Sequence, residues 1–352
     1  MNESSQKSRL NASVKAGLVL LGLMYAVALL AEFIAPYNYR EQTRQEPSAP
    51  ATTIRFVDAN GTFHLRPFIY KSRLTNARDM EYVEDTSREY QIAFFGPGAS
   101  YDLLWLAKAD THLFGITPPD GDTAPQIHLL GTDQLGRDRF SRLLVATRFS
   151  LLVSPAGTIL ACLIGVIFGA VSGYSGRMVD SAMMSVADTV IALPTLILIL
   201  AARAAFPLEL PPWRAATLLI SIFALTGWAE MARLARGQVL AVKNLEFITA
   251  ARALGAGETR ILSAHVLPNI SGSLVVQATL ILPAFFLAEV ALSFLGVGLQ
   301  EPEPSLGNML TSASDLTQLS YHPVLLLSPA AVIFVFVFAT RLLSRGRRTS
   351  LV

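Results

Sequence analysis

The chain has 352 residues, of which 52% are hydrophobic and only 15% charged, with a mean hydropathy of +0.46 and a formal net charge of +2. Those proportions place it among polytopic membrane proteins and exclude an ordinary soluble core. The charge is too small and scattered to suggest a nucleic-acid partner, and the lone Cys162 excludes a disulfide framework or a cysteine metal pair.

Lys7, Arg9 and Lys15 precede an apolar run over residues 16–35, about long enough to cross the hydrocarbon core. The run reads as a first span. A cleaved signal peptide is the competing reading, but its apolar region would be shorter, roughly 7 to 15 residues, and no small-residue cleavage site follows. Residues 36–149 are soluble in character and far longer than an ordinary connection. Within them, residues 53–57 and 62–70 alternate around Asp58-Ala59-Asn60-Gly61 and predict a β-hairpin. Residues 89–95 predict another strand, and residues 101–108 a short helix. The region is either a contact surface for a partner or a tolerated insertion.

Gly131 and Gly136 then punctuate a loop, and Phe140, Leu143, Leu144 and Phe149 form an apolar stripe opposite Arg139, Arg142 and Arg148. That pattern predicts a helix lying along the membrane interface, or a solvated amphipathic helix. Five further apolar runs follow at about residues 150–173, 180–206, 215–232, 271–294 and 323–343, for six spans in all. Gly157, Ala161, Gly165, Gly169 and Gly173 recur every fourth residue on one face of the second span, suited to close helix approach within the subunit or against a partner. Pro194 and Pro283 each interrupt a span and could mark matching broken helices.

Arg177, then Arg233, Arg236, Lys243, Arg252 and Arg260, then Arg341, Arg345, Arg347 and Arg348 fall on one side of this arrangement. By the positive-inside rule both termini and the loop around Glu246 are cytoplasmic, and residues 37–136 lie outside. The parts expected are residues 1–36 with the first helix, the outer insertion 37–136, a transmembrane core 137–343 containing a cytoplasmic loop 237–269, and a basic tail 344–352.

That cytoplasmic loop is polar although apolar runs flank it. Two short helices fit residues 246–269: Asn244 can cap the first, Glu246 suits its first turn, and Gly255 can turn left-handed at its end. Residues 258–267 predict the second, stopped by Pro268.

Here the sequence resembles a known family. Ala250, Ala251, Gly255, Leu267 and Pro268 are spaced as in the coupling signature, or EAA loop, of permease subunits of ABC importers. The wording Ala251-Arg252-Ala253-Leu254-Gly255-Ala256 and His265-Val266-Leu267-Pro268-Asn269 resembles the dipeptide and oligopeptide (peptide/nickel) branch, and its second, C-type permease. Thr249 departs from the pattern, standing where the signature has glutamate, which puts a charge-based contact there in doubt. Residues 128–138, HLLGTDQLGRD, are similar to the stretch that opens the transmembrane core in that branch, and Asp110-Thr111-His112-Leu113-Phe114-Gly115 is similar to its longer-looped members. The run from Gln300 to Leu310 continues the likeness, with Leu306 in place of a tryptophan.

Three acids stand in or near spans: Asp188, Glu230 and Glu289. An acid at the bilayer centre costs about 2.5 to 3.5 kcal/mol on insertion scales, which demands a polar partner or a wet cavity. Asp188 and Glu289 sit as in peptide permeases and are candidates for the translocation path or gate; an inter-helix hydrogen bond is the plainer alternative.

The resemblance implies an all-α polytopic fold of six transmembrane helices with a partly β extracytoplasmic insertion between helices 1 and 2. It implies a permease of an ATP-driven importer in the bacterial inner membrane, working by alternating access. The expected partners are a second permease subunit, two cytoplasmic ATPase subunits, an extracytoplasmic solute-binding protein and the lipid bilayer. Glu246, Thr249, Ala250, Ala251, Arg252, Gly255, Leu267 and Pro268 would carry the coupling. ATP and Mg would bind the partner ATPase, since this chain has no phosphate-cradling Gly-x-x-x-x-Gly-Lys-Ser/Thr loop. His64, His112, His128, His265 and His322 form no zinc-protease pattern and no nucleophile elbow occurs, so catalysis, a bound cofactor and a metal are not expected. A secondary transporter or channel driven without ATP is the alternative, and a structural membrane anchor a further one. These motifs do not name the solute.

Overall fold

The computed structural model describes residues 12–78, 80–103, 107–116, 125–311, 319 and 324–348. Lys7, Arg9 and His322 lie outside them. The chain divides into two compact units, one of residues 1–22, 150–299 and 333–352, the other of residues 23–149 and 300–332.

The first unit is helical because its sequence supplies long apolar runs with few breakers, and in lipid a helix satisfies its own backbone. Its main helices are α3 (Arg139–Tyr174, entering from the other unit), α4 (Arg177–Ala192), α5 (Thr195–Ala204), α6 (Pro212–Val242), α7 (Glu246–Ala253), α8 (Glu258–Ile261) and α9 (Leu267–Phe294). The chain begins with α1 (Ala12–Leu29) and α2 (Ala31–Ile34), and ends with α10 (Leu306–Thr311) and α11 (Val324–Arg348). Among the described residues five helices are long and apolar enough to span a membrane, or six if the bent pair α4 and α5 counts as one. The chain is therefore a multi-pass membrane protein, mostly helical, with a β insertion.

Two helix expectations are corrected, and the break expected at Pro194 is present. The interfacial helix and second span are one helix, α3, and Arg139 and Arg142 are buried on it instead of facing water. Burial is possible because Arg142 finds acceptors, donating to Glu301 Oε1 at 2.7 Å and the Pro302 carbonyl at 3.1 Å, while Arg148 pairs with Glu32. The run over 180–206 is broken, α4 and α5 meeting at 86° across Leu193-Pro194. Pro194 offers no N–H, and Leu193 before it is extended, with ψ of 135°. Pro283, by contrast, lies inside unbroken α9, so the two prolines do not make matching breaks.

The glycine stripe packs within the chain. A Cβ on Gly165 would lie 2.5 Å from the Trp228 carbonyl oxygen, and one on Gly169 2.2 Å from that of Ala232, so α3 rests directly on the backbone of α6. Ile159, Leu163 and Ile167, about 200° round α3 from that face, are exposed, as lipid-facing residues should be.

In the second unit, β1 (Arg55–Val57), β2 (Phe63–Asn76), β3 (Glu81–Leu103) and β4 (Ala107–Ile116) form an antiparallel meander in sequence order. The hairpin at Asp58–Gly61 forms with Gly61 at φ +85°. Ile69, Tyr90 and Ile92 pack with Ile127 into its core. The short helix expected over 101–108 is corrected to strand. Tyr101 pairs with Ala109, Asp102 with Lys108 and Leu103 with Ala107, and the ladder supplies the backbone partners a helix would otherwise have made. Residues 104–106 lie outside the described residues.

The HLLGTDQLGRD stretch fastens this unit. Gly131 and Gly136 take φ of +72° and +73°, and a Cβ on either would lie within 2.4 Å of a backbone oxygen, Ala49 or Thr43. Asp133 accepts from the N–H groups of Leu135 and Arg137 and from Arg137 Nε at 2.7 Å. Asp138 caps α3, accepting from the Ser141 backbone at 2.7 Å and its hydroxyl at 2.6 Å. His128 bridges Asp138 and Glu46 at 2.9 Å each. Burial opposes charge on that imidazole, but the two carboxylates outweigh it and raise its pKa to about 9.

Candidate functional site

The stretch from Glu246 to Pro268 is built on a packed floor. Ile248, Ile261 and Val266 are fully buried with Val239, Val242, Ala170 and Ile270, so both short segments are seated on the ends of α3, α6 and α9. The turn between them is closed by two backbone bonds, Ala256 N–H to the Ala251 carbonyl at 3.1 Å and Gly255 N–H to that of Arg252 at 3.0 Å. This is a Schellman ending, which needs a left-handed residue, and Gly255 has φ of +85°. Arg252 donates from Nε and Nη2 to Glu258 at 2.7 and 3.1 Å, a fork that braces the turn from outside.

Two local expectations fail. Asn244 does not cap α7; the cap position is Leu245, with no side-chain bond, because the chain turns one residue later through Leu245 N–H to the Val242 carbonyl at 3.1 Å. Pro268 does not stop the second helix. It occupies the first turn of α9, where its missing N–H is tolerated, and the π-helical turn Leu262–Val266 joins α8 to α9 without a break.

The outward face is apolar. Leu254 is 89% exposed and Phe247 43%, and with exposed Ala250 between them they make a ridge at positions i, i+3 and i+7. Thr249 is also exposed, its hydroxyl bonded to the Leu245 carbonyl at 3.3 Å, so it presents no charge. Ala251 and Leu267 are half-buried beneath, while Glu246, Arg252 and Pro268 are exposed.

The structure separates the three acids. Asp188 is an exposed acid on α4 paired with Arg233 of α6. Glu289 is 0% exposed, accepting from the Ser150 hydroxyl at 2.5 Å and the Ser293 hydroxyl at 3.1 Å. Neither lines the cavity of α5, α6 and α9 described next. A cavity of about 460 Å³ lies instead between α5, α6 and α9, apolar over Ile199, Leu280 and Phe285, with Thr195, Thr226, Glu230 and Gln277 as its polar groups. Sequence reasoning set Glu230 aside and missed Gln277. The signal available was their spacing from the apolar wall: Glu230 lies one turn beyond Thr226, and Gln277 seven residues before Ala284.

Comparison with known proteins completes the site. Residues 165–348 match the model of the binding-protein-dependent transport system inner membrane component, and residues 9–50 that of the N-terminal transmembrane domain of oligopeptide transport permease C. The chain is 40% identical over 264 residues to the oligopeptide transport system permease protein OppC of Bacillus subtilis, covering 74% of this chain and 80% of the relative. It is 38% identical to the dipeptide transport system permease protein DppC of the same organism, over 66% of this chain and 69% of the relative. A solved inward-facing structure of the MetNI methionine ABC transporter is similar at 18% identity and a TM-score of 0.40, over 56% of this chain and 91% of that one, too loosely to carry an argument. The chain belongs to the family of binding-protein-dependent transport system inner membrane components, and within it to the C-type permeases of the oligopeptide and dipeptide branch, a transport subunit and not itself an ATPase.

Proposed function

We propose that this permease imports peptides or similar small solutes, pairing with a second permease to enclose the path and drawing on two cytoplasmic ATPase subunits that bind ATP and Mg. An extracytoplasmic solute-binding protein delivers the solute. The observation that carries the reading is the ridge Phe247, Ala250 and Leu254, held outward on a fully buried floor. An isolated membrane protein gains nothing from exposing Leu254 to water, whereas an apolar groove on a partner would cover it. The floor makes the ridge a rigid lever: displacement of α7 moves Ile248 and, through the shared cluster, the ends of α3, α6 and α9. To move a two-state pathway from mostly closed to mostly open takes about 5.5 kcal/mol of differential binding, which ATP at a partner can supply and this chain cannot.

Glu246, Thr249, Ala250, Ala251, Arg252, Gly255, Leu267 and Pro268 belong to this coupling element, Thr249 by shape and not by charge. The path runs past the cavity of Glu230 and Gln277, with Asp188 and Glu289 in supporting roles, the first pairing α4 to α6 and the second α3 to α9. The protein lies in the bacterial inner membrane with both termini and α7 on the cytoplasmic side and the β insertion outside. Two experiments test this. A cysteine at Phe247 should cross-link to an ATPase subunit in the assembled complex, and absence of any cross-link would contradict the docking. A cysteine at Asn60 should react with an impermeant thiol reagent on intact cells, and labelling only after permeabilisation would invert the topology.

A further inference from the structure

Asp58, His64 and Glu89, which the sequence analysis gave no joint role, converge in the β insertion. One ligand atom from each lies within 4.8 Å of the others, with His64 Nε2 3.3 Å from Asp58 Oδ2 and 3.6 Å from Glu89 Oε2. They come from three places in the chain: the hairpin turn, β2 and β3. Asp58 is held by its other oxygen, Oδ1, which accepts the N–H groups of Asn60 and Thr62 at 2.8 Å each and leaves Oδ2 directed at the imidazole. The ring of His64 is steadied edge-on by Phe68, with centroids 5.2 Å apart. The side chains of His64 and Glu89 are about 30% exposed, so an ion can reach the cluster from solvent, while that of Asp58 is 9% exposed.

We propose that this hairpin is a divalent transition-metal site of the Zn²⁺ class, bound by Asp58 Oδ2, His64 Nε2 and Glu89 Oε2 with a remaining position open to water. Metal–ligand bonds of about 2.0 to 2.1 Å at tetrahedral angles put ligand atoms about 3.3 to 3.4 Å apart, close to both His64 distances. Two carboxylates and a neutral imidazole present a net charge of −2 to a doubly charged ion. The imidazole favours Zn²⁺ and its neighbours over Ca²⁺ or Mg²⁺, which take oxygen. Bound there, the ion would tie the turn, β2 and β3 together. The inference is independent of the transport reading.

The test uses the assembled complex, stripped by chelator and titrated calorimetrically with Zn²⁺ alone, beside His64→Ala and Glu89→Gln. Wild type should show one site per chain more than His64→Ala, weakened about tenfold or more in Glu89→Gln. Co²⁺ loading gives a readout that needs no stable variant. The wild-type complex should gain visible ligand-field bands of a low-coordinate Co²⁺ site. Equal Zn²⁺ stoichiometry in wild type and His64→Ala, or no such bands in wild type, would overturn the proposal.

Discussion

Residues 128–142 and residues 246–268 both carry motif-like sequence, yet they treat their side chains in opposite ways. In the first, polar groups turn inward: His128, Asp138, Ser141 and Arg142 are buried and bonded to partners within the same unit. In the second, the apolar groups divide, Ile248, Ile261 and Val266 going inward while Phe247 and Leu254 go outward. The bonds of the first region serve the fold itself. The second region instead leaves Leu254 exposed above a buried floor, and it is there that we propose a partner docks.

The glycines of the two regions sharpen that contrast first. Gly136→Val must place a β-branched residue at φ +73° with its Cβ about where the Thr43 carbonyl oxygen sits, 2.0 Å away. We expect a loss of more than about 3 kcal/mol, seen as little assembled complex in the membrane. Gly255→Val meets no atom within 4 Å, so its cost is the left-handed backbone alone, about 1 to 2 kcal/mol. Assembly should survive while ATP-driven uptake per complex falls; normal uptake would remove the reason for giving Gly255 a part in coupling.

A smaller effect separates the regions by pH. His128 has a folded pKa of about 9 against 6.5 for an unperturbed group, so its contribution is fully present below about pH 6.5 and is lost as pH rises through about 9. The thermal midpoint of the complex should decline across that window, and His128→Gln should flatten the decline. Smallest is Glu289→Gln. An amide can still accept from Ser150 or Ser293, so about 1 kcal/mol of stability is at risk and uptake per assembled complex should hardly change. A tenfold drop in initial rate would instead assign the charge a part in transport.

Much of this was legible in the residues. Gly255 at a helix end, the four-residue glycine spacing and the break at Pro194 follow from backbone rules that act locally, and the structure shows each. What was not legible depends on distant partners. Arg142 reads as a polar-face residue until Glu301, far along the chain, supplies its acceptor. Residues 101–103 read as helix because their ladder partners, 107–109, reach them only through tertiary pairing. Pro268 reads as a stop because nothing in its neighbours announces the π turn that carries the helix across. The cavity was hardest, since helix periodicity places an acid on a face but does not say which face opens on a cavity, and Glu230 was the acid that reached it.

The exposed ridge of α7 is proposed to transmit drive from an ATPase subunit. Leu254→Asp tests it most directly, because this side chain is 89% exposed and a charge there should cost the isolated fold little. Measured as ATP-driven uptake per assembled permease pair in proteoliposomes, the account predicts a fall of about tenfold or more together with weakened retention of the ATPase subunits. Wild-type uptake with the ATPase subunits fully retained would contradict it.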